Sequence, residues 1–471
     1  MATISSPGIG SGIDVQSIVS QLVALEKAPL NTLEKQANTI KTRISTYGTI
    51  SSQVSALGDA ASKLGSASGW NAVTSTSSNP SAIAVKAAAG APVTSLTMEV
   101  SQLAKAQSTA STAVPAGSAI GTGTLTIELG RWNAGSFTGN GDAPVNISIA
   151  AGEDNLTDIA AKINDADAGV SAIVLKDASG ERLLLRSKET GLENGFRITA
   201  SDDDGNHTDS SGLSRLSFNG TGSSGTTQSQ AAQNALATIN GVAIETASNT
   251  LDDTVPGLTL QLSQVTSDPV EIDVSTDRDA IRANVQSFID AYNSLNNTLS
   301  TTTKYDEATK TAGSLQGDAT AVGLQNALRS MMRSTTASSP FTRLSDIGIE
   351  IKSGGTMSLN SEKFNAAMSD LNGLKNLFAV DTGDPTSQGF GRKIDAFADG
   401  LLEAEGLVST RKQALQKALD RNGDEQDRVT DRAARAEVRY LAQYNAMDAN
   451  VAKLNGLSSF VLQQISLWNK G

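Results

Sequence analysis

The spacing of apolar residues changes twice along this chain, and that change limits the folds open to it more than any other feature. Near the C-terminus, Tyr440, Tyr444, Met447, Val451, Leu454, Ser458, Val461, Ile465 and Trp468 follow one another at alternating steps of four and three. That is the spacing of a coiled-coil seam, with Ser458 as its one polar layer. The N-terminal stretch is also helical in period: Val15, Ile18, Leu22 and Leu25, then Leu33, Ile40, Ile44, Tyr47, Val54, Leu57 and Leu64. Ser11 or Asp14 is suited to cap that helix, and Pro29 predicts a kink or break within it. Upstream of the C-terminal seam, Ile394 to Arg439 reads as helix through Leu401, Leu402, Leu415, Ala418 and Leu419. Asn422-Gly423 predicts a turn between two antiparallel helices there. Asp424 with Arg428 and Asp431 with Arg435 are i,i+4 pairs of the favourable order, each adding ~0.3 kcal/mol. A lone amphipathic helix is marginal, so these seams need a partner, either each other or another copy of the chain.

Between the ends the period is two. Ala82–Lys86, Leu96–Val100, Leu125–Leu129, Val145–Ile149, Ala172–Leu175, Arg182–Arg186, Phe196–Thr199, Leu258–Leu262 and Val270–Val274 read as short strands between Gly, Ser, Asn and Pro turns. One helix interrupts them at Asn155–Asp165, with Leu156, Ile159, Ala160 and Ile163 as its apolar face. Phe218–Gln230 has the Gly/Ser/Thr composition of a flexible connector. After Asp277 the helical period returns through Ile281, Val285, Phe288, Ile289, Tyr292 and Leu295.

The expected architecture is therefore α+β and multidomain, a coiled-coil stalk of paired N- and C-terminal helices with mainly β head domains inserted. The expected divisions are 1–40 with 430–471 as terminal segments and 41–77 with 276–429 as a helical leg. Residues 78–111 with 231–275 form a β-rich head, and 112–230 a second head inserted in the first.

Chemistry is sparse. The chain has no cysteine, one histidine and a formal charge of −12, which removes disulfides, thiolate nucleophiles and thiolate metal sites and leaves no basic field for nucleic acid. No apolar run reaches the ~20 residues that span a bilayer, and Met1–Gly12 has no secretory leader pattern. Ser201–Asp209 holds the densest acids and His207, but Ala200 and Ser211 occupy the positions where a calcium loop needs ligands, so a solvated turn is expected. Asp252-Asp253 and Asp165/Asp167 lie among turn residues, and Gly8–Gly12 follows no strand and precedes no Lys-Ser/Thr, so neither acid/base catalysis nor a phosphate cradle is indicated. No catalytic site, cofactor or metal is expected.

Several segments resemble one family. Ile4–Ala28, with its Gly-rich arm, Gly12, Asp14, and then Glu26, Lys27 and Pro29, is similar to the start of flagellar hook-associated protein 2, the filament-cap family. Ala237–Leu262, around Ile239-Asn240-Gly241 and Val255-Pro256-Gly257, looks like the repeat shared by flagellin and hook-associated proteins. Leu344–Leu359 is similar to the family's Leu-x-x-Ile-Gly-Ile turn, and the C-terminal heptads to its closing helix. Thr112–Gln230 matches no motif of the family.

The resemblance implies a secreted, extracellular protein at the distal tip of the bacterial flagellum. It would form a homo-oligomeric ring, with helical legs and a β-rich plate, that retains flagellin and promotes its polymerisation. Implied partners are other copies, flagellin, the hook–filament junction proteins, an export chaperone and the type III export apparatus. The seam residues Ile18, Leu22, Leu25, Ile40, Ile44, Tyr47, Tyr440, Tyr444, Met447, Val451, Leu454, Val461, Ile465 and Trp468 are the expected assembly contacts. The alternative is an adhesin whose β-rich head binds host mucin or glycans; a carboxylate glycoside hydrolase is a third, poorly supported class.

Overall fold

The computed structural model describes residues 12, 14–220, 225–308, 310–337 and 340–469, Trp468 by its backbone alone. The chain divides into two compact units, residues 1–70 with 279–471, and residues 71–278.

The first unit is helical. Its frame is α1, Val15–Gly65, with α3, Arg278–Thr303, α4, Ala319–Met332, α5, Ser361–Ala367, α6, Leu371–Ala379, α7, Phe390–Leu402, and α8, Leu407–Trp468. One core joins Tyr47, Ile50, Val54, Leu57 and Leu64 of α1 to Val285, Phe288, Ile289 and Tyr292 of α3 and to Phe378, Phe390 and Ile394. Helices α1 and α7 meet through small residues. A Cβ on Gly391 would stand 2.5 Å from the Gly65 nitrogen and 2.7 Å from the Ala61 carbonyl oxygen.

Two expected interruptions are absent. Helix α1 runs 51 residues through Pro29, because the ~3 kcal/mol that an interior proline costs is offset by packing on either side of it, Val15–Val23 under α8 and Tyr47–Leu64 in the core. Helix α8 runs 62 residues through Gly423, where a mid-helix glycine costs only ~1 kcal/mol. The turn falls earlier, between α7 and α8 at Gly406, where a Cβ would stand 2.4 Å from the Leu401 carbonyl oxygen. Of the two expected ion pairs on α8, Arg435 donates instead to the backbone carbonyl of Asp431.

The second unit is β-rich and holds two cores. In the first, a five-stranded sheet runs β1-β16-β3-β12-β13, with β1 at Val73–Ser77, β3 at Thr94–Gln102, β12 at Ala235–Ile239, β13 at Val242–Thr246 and β16 at Val270–Thr276. A three-stranded sheet, β14-β15-β2, comprises β2 (Ile83–Ala87), β14 (Thr250–Val255) and β15 (Leu258–Leu262). The two sheets share a core of Ile83, Met98, Val100, Leu258, Leu260 and Ile272. Strand β1 pairs residue for residue with β16, so Val73–Ser77, expected in the helical leg, is part of the β unit.

The second core, between Val114 and Phe218, lies among β5 (Gly123–Asn133), β6 (Ser136–Gly139), β7 (Val145–Ile149) and β10 (Gly195–Asp202), and a sheet ordered β11-β4-β9-β8. The latter sheet comprises β4 (Ser108–Ser111), β8 (Val170–Asp177), β9 (Gly180–Ser187) and β11 (Thr226–Gln230). Helix α2, Leu156–Asp165, is capped by Asn155 and buries Leu156, Ile159, Ala160 and Ile163, the face its spacing predicted.

The expected connector at Phe218–Gln230 is largely built structure. Phe218 exchanges two backbone hydrogen bonds of 2.8 Å with Ile198 and packs against Trp132 and Phe196, while β11 pairs with β4. Small polar residues there form a sheet edge, which composition alone does not distinguish from a linker. Residues 221–224 of that stretch, like Ser11, lie outside the described residues.

Candidate assembly surface

Two long helices decide where apolar surface is left bare. Tyr47 of α1 meets the Asp318–Arg411 pair, while Glu26 of α1 meets Tyr440 and Arg432 of α8 at 3.3 and 3.5 Å. The α1 positions fall as the α8 positions rise, so the helices run antiparallel. Asp14 caps α1, accepting from the Ser17 N–H at 2.9 Å. Val15, Val19 and Val23 then bury themselves with Ala433, and Tyr440, Leu441 and Tyr444 close over them.

This corrects the expected N-terminal seam. The buried line is Val15–Val19–Val23; Ile18 and Leu22 are half-buried beside it, and Leu25 is 70% exposed. Steps of four in valines and steps of three and four in Ile and Leu lie on adjacent helix faces, and only the partner decides which face is covered. Ile40, Ile44 and Tyr47, expected as contacts between subunits, instead pack in or against the unit's own core.

At the other end of the pairing, Asp318 ties three helices together. Its carboxylate accepts from the Tyr47 hydroxyl of α1 at 2.9 Å and from Nε and Nη2 of Arg411 of α8 at 3.1 and 2.8 Å. It also caps α4 through the Thr320 and Ala321 N–H groups. Burial pushes this carboxyl up, but the Arg411 guanidinium, the Tyr47 hydroxyl and the Ala321 N–H outweigh it and hold the group below the usual carboxylate range. Burial, then the bond to Asp318, pushes the Tyr47 phenol well up. The clamp fixes the α8 base on α1.

Past Tyr444 the α8 seam loses its cover. Met447 is exposed, Val451 half-buried, and Leu454, Val461 and Ile465 are exposed. Leu457, Phe460, Leu462 and Leu467, which a single heptad seam leaves out, are exposed as well, Leu457 and Leu467 at 64% each. At 100° per residue, Leu454, Leu457, Val461 and Ile465 share one stripe, Phe460 and Leu467 lie on one side of it, and Leu462 on the other. A helix apolar on three sides calls for more than one neighbour. The bare segment, Ala452 to Leu467, is roughly 24 Å long at 1.5 Å per residue.

The acidic loop is more than a solvated turn. Asp202 is buried, accepting from the Ser214 N–H at 2.9 Å, and its own N–H donates to Nδ1 of His207 at 3.0 Å. The loop's polar groups are thus turned to local structure, and among the described residues no three His, Asp or Glu side chains cluster as a metal site would require. Asp167 pairs with Lys188 and Asp253 accepts from the Gly257 N–H, both in left-handed turns.

Residues 11–107 match the family described as flagellar hook-associated protein 2 N-terminus, and residues 232–456 the family described as flagellar hook-associated protein 2 C-terminus. Residues 136–189 match the flagellin hook IN motif. That last match corrects two expectations, since the motif lies inside the insertion thought to carry none and not at Ala237–Leu262. Asn240 and Gly241, with φ of 48° and 80°, turn the β12–β13 hairpin, a local solution that many hairpins use.

The chain is 33% identical over 479 residues to flagellar hook-associated protein 2 of Escherichia coli K12, across 98% of both chains. It is 30% identical to the B-type flagellar hook-associated protein 2 of Pseudomonas aeruginosa, across 95% of this chain and 94% of that one. The solved D1-D2-D3 domains of the flagellar cap protein FliD from Escherichia coli superpose with a TM-score of 0.63 at 31% identity, covering 79% of this chain and 99% of that one.

Proposed function

The chain belongs to the flagellar hook-associated protein 2 family, and from that membership and its bare apolar terminus we propose that the last turns of α8 hold this filament cap together. It is an extracellular structural protein of the filament tip, working with flagellin and with further copies of itself. The finer reading is that Leu454, Leu457, Val461 and Ile465 join each subunit to its neighbours and to the filament, on a base that Tyr440 and Tyr444 hold within the subunit. Flagellin is retained beneath the β-rich heads, where it folds and is added.

The observation that carries this reading is the stretch of seven exposed large apolar residues between Leu454 and Leu467. Fully burying each one contributes ~1.5–3 kcal/mol, so a few of them set a substantial contact before ordering and association costs are subtracted. Ser458 softens the layer between Leu454 and Val461, which suits a contact that must release as the cap advances. The same segment is what an export chaperone would cover on the way to the type III apparatus. The adhesin alternative gains no support from the matched relatives and is not carried further.

The test is truncation after Ala452, beyond the turns that cover Val15–Val23, alongside a chain with Leu454, Leu457, Val461 and Ile465 all changed to Ser. Both variants should keep the parent's unfolding temperature, sediment as smaller species than the parent and leave flagellin as monomer in the medium. Normal filaments from either variant would refute the reading.

A further inference from the structure

The charge of −12 is not spread over the molecule. Residues 1–70 and 279–471 hold 26 Lys and Arg against 26 Asp and Glu, whereas residues 71–278 hold 11 against 23, so the whole net charge lies in the β unit. Within that unit two sheet faces stand apart, and they are opposite in character.

The outer face of the five-stranded sheet is anionic and hydroxyl-rich. Glu271 lies opposite Thr97, Asp273 opposite Ser95, and Thr238 opposite Glu99; Glu245 lies opposite Leu236 on the same face. These carboxylate residues are exposed, and none of the five strands contains a Lys, Arg or His.

The outer face of the β11-β4-β9-β8 sheet carries apolar and cationic groups. Ile173, 63% exposed, lies opposite Leu184; Leu175, 48% exposed, lies opposite Arg182; Ser171 lies opposite Arg186. Arg182 reaches Asp177 at 3.6 Å, and Arg186 forms no ion pair with any described carboxylate. The free edge of β8 is not open to strand addition at its start, because the Asn164 amide occupies it. Asn164 donates to the Ala172 carbonyl and accepts from the Ala172 N–H, both at 2.8 Å. What remains available is the face.

We propose that these two faces meet between copies, the Ile173–Leu175–Arg182–Arg186 face of one chain seating on the Glu99–Glu271–Asp273 face of the next. Burial of the two exposed apolar side chains contributes the attraction, and the arginines select the anionic face as partner. Because the two patches differ, the contact is head-to-tail, the kind that closes into a ring where the rotation between subunits permits. It is independent of the terminal stripe.

The chain has no cysteine, so single thiols can be placed without background. A full-length Thr227→Cys chain, labelled at the edge of the cationic face, is mixed with a full-length Ser95→Cys chain and treated with a short bismaleimide. Linked heterodimer should exceed either homodimer by about tenfold and fall with added salt. Arg182→Glu with Arg186→Glu in the first chain should cut the yield about tenfold, and Glu271→Lys with Asp273→Lys in the second should restore it. Heterodimer no more abundant than homodimer, a yield indifferent to the arginine reversals, or a failure of the paired reversal to restore it would each overturn the proposal. Changing Leu454, Leu457, Val461 and Ile465 to Ser in both labelled chains should leave the linked yield unchanged, which separates this contact from the terminal stripe.

Discussion

Replacing Asp318 should separate a structural clamp from an ordinary surface ion pair. In Asp318→Ala, α4 loses its cap, worth ~1 kcal/mol, and the buried Tyr47 hydroxyl loses its acceptor, which costs ~1–3 kcal/mol. Arg411, whose side chain is 34% exposed against 3% for Asp318, can turn to water, so its share is discounted to a few tenths of a kcal/mol. The expected total is about 3 kcal/mol. Asp318→Asn keeps an acceptor for Tyr47 and for the cap and should cost only about 1 kcal/mol. In a Tyr47→Phe background the Ala substitution should cost about 1 kcal/mol less, the coupling of the pair. Urea midpoints followed by helical circular dichroism measure the parent and the four variants. The carboxyl is held below its usual range, so its contribution is complete above the unfolded value near ~4 and is lost as pH falls through the folded value. The difference between parent and Asp318→Asn should therefore shrink in acid. Equal losses for Ala and Asn, or a difference that grows in acid, would refute this account of the clamp.

Three further outcomes are expected. Gly391→Ala puts a methyl against the α1 backbone, 2.5 Å from the Gly65 nitrogen, and should cost about 2–3 kcal/mol in urea midpoint, whereas Gly400→Ala, with nothing within 4 Å, should be neutral or stabilising. The Asp395 carboxyl is pushed up by burial and by the Asp399 and Asp59 carboxylates, against a hydrogen bond from Ser62; its cost is full above the folded value, falls with pH below it and is gone below the unfolded value, so Asp395→Asn should raise stability at neutral pH by at most about 1 kcal/mol and not in acid. Asn164→Leu strips both bonds from Ala172 and should lower the β-unit midpoint by about 1–2 kcal/mol while allowing concentration-dependent light scattering through β8; unchanged values in both measurements would count against the amide's role.

Where a local pattern had only one way to be satisfied, the sequence could be read. Asn155 with Leu156, Ile159, Ala160 and Ile163 specified a cap and a buried face, and all nine expected strands lie within or overlap observed ones. Where two solutions were locally equal, the partner decided and the sequence was silent. Ile18–Leu22–Leu25 and Val15–Val19–Val23 are both apolar lines, and α8 covered the valines. Gly423 and Pro29 are strong local punctuation, yet long packed helices override them, while Gly406 breaks the chain because of a backbone approach invisible before folding. The Asp318 clamp joins residues 47, 318 and 411, separations that no spacing rule reaches. The second and third apolar sides of the terminal helix were missed for a different reason. A heptad template accepts one stripe and passes over Phe460, Leu462 and Leu467, although they stand in the same sequence.

The terminal helix also explains how a segment can be ordered and bare at once. A peptide of the length Ala452–Leu467 would be marginal alone, because nucleation fixes three residues for one hydrogen bond. Here nucleation has already occurred upstream, in turns held by Arg411 on Asp318 and by Tyr440 and Tyr444 over Val15–Val23, so each further turn needs only propagation. Helicity of the bare stripe therefore depends on contacts made inside the subunit. Loosening the valine line or the Glu26–Tyr440 contact weakens the stripe without touching it, by letting the last turns fray before a neighbour arrives. A subunit must then order those turns on binding, which lowers affinity by the ordering entropy and speeds release. If the stripe makes the cap contact as proposed, the strength of that contact is set as much by the antiparallel clamp as by the residues that touch the neighbour.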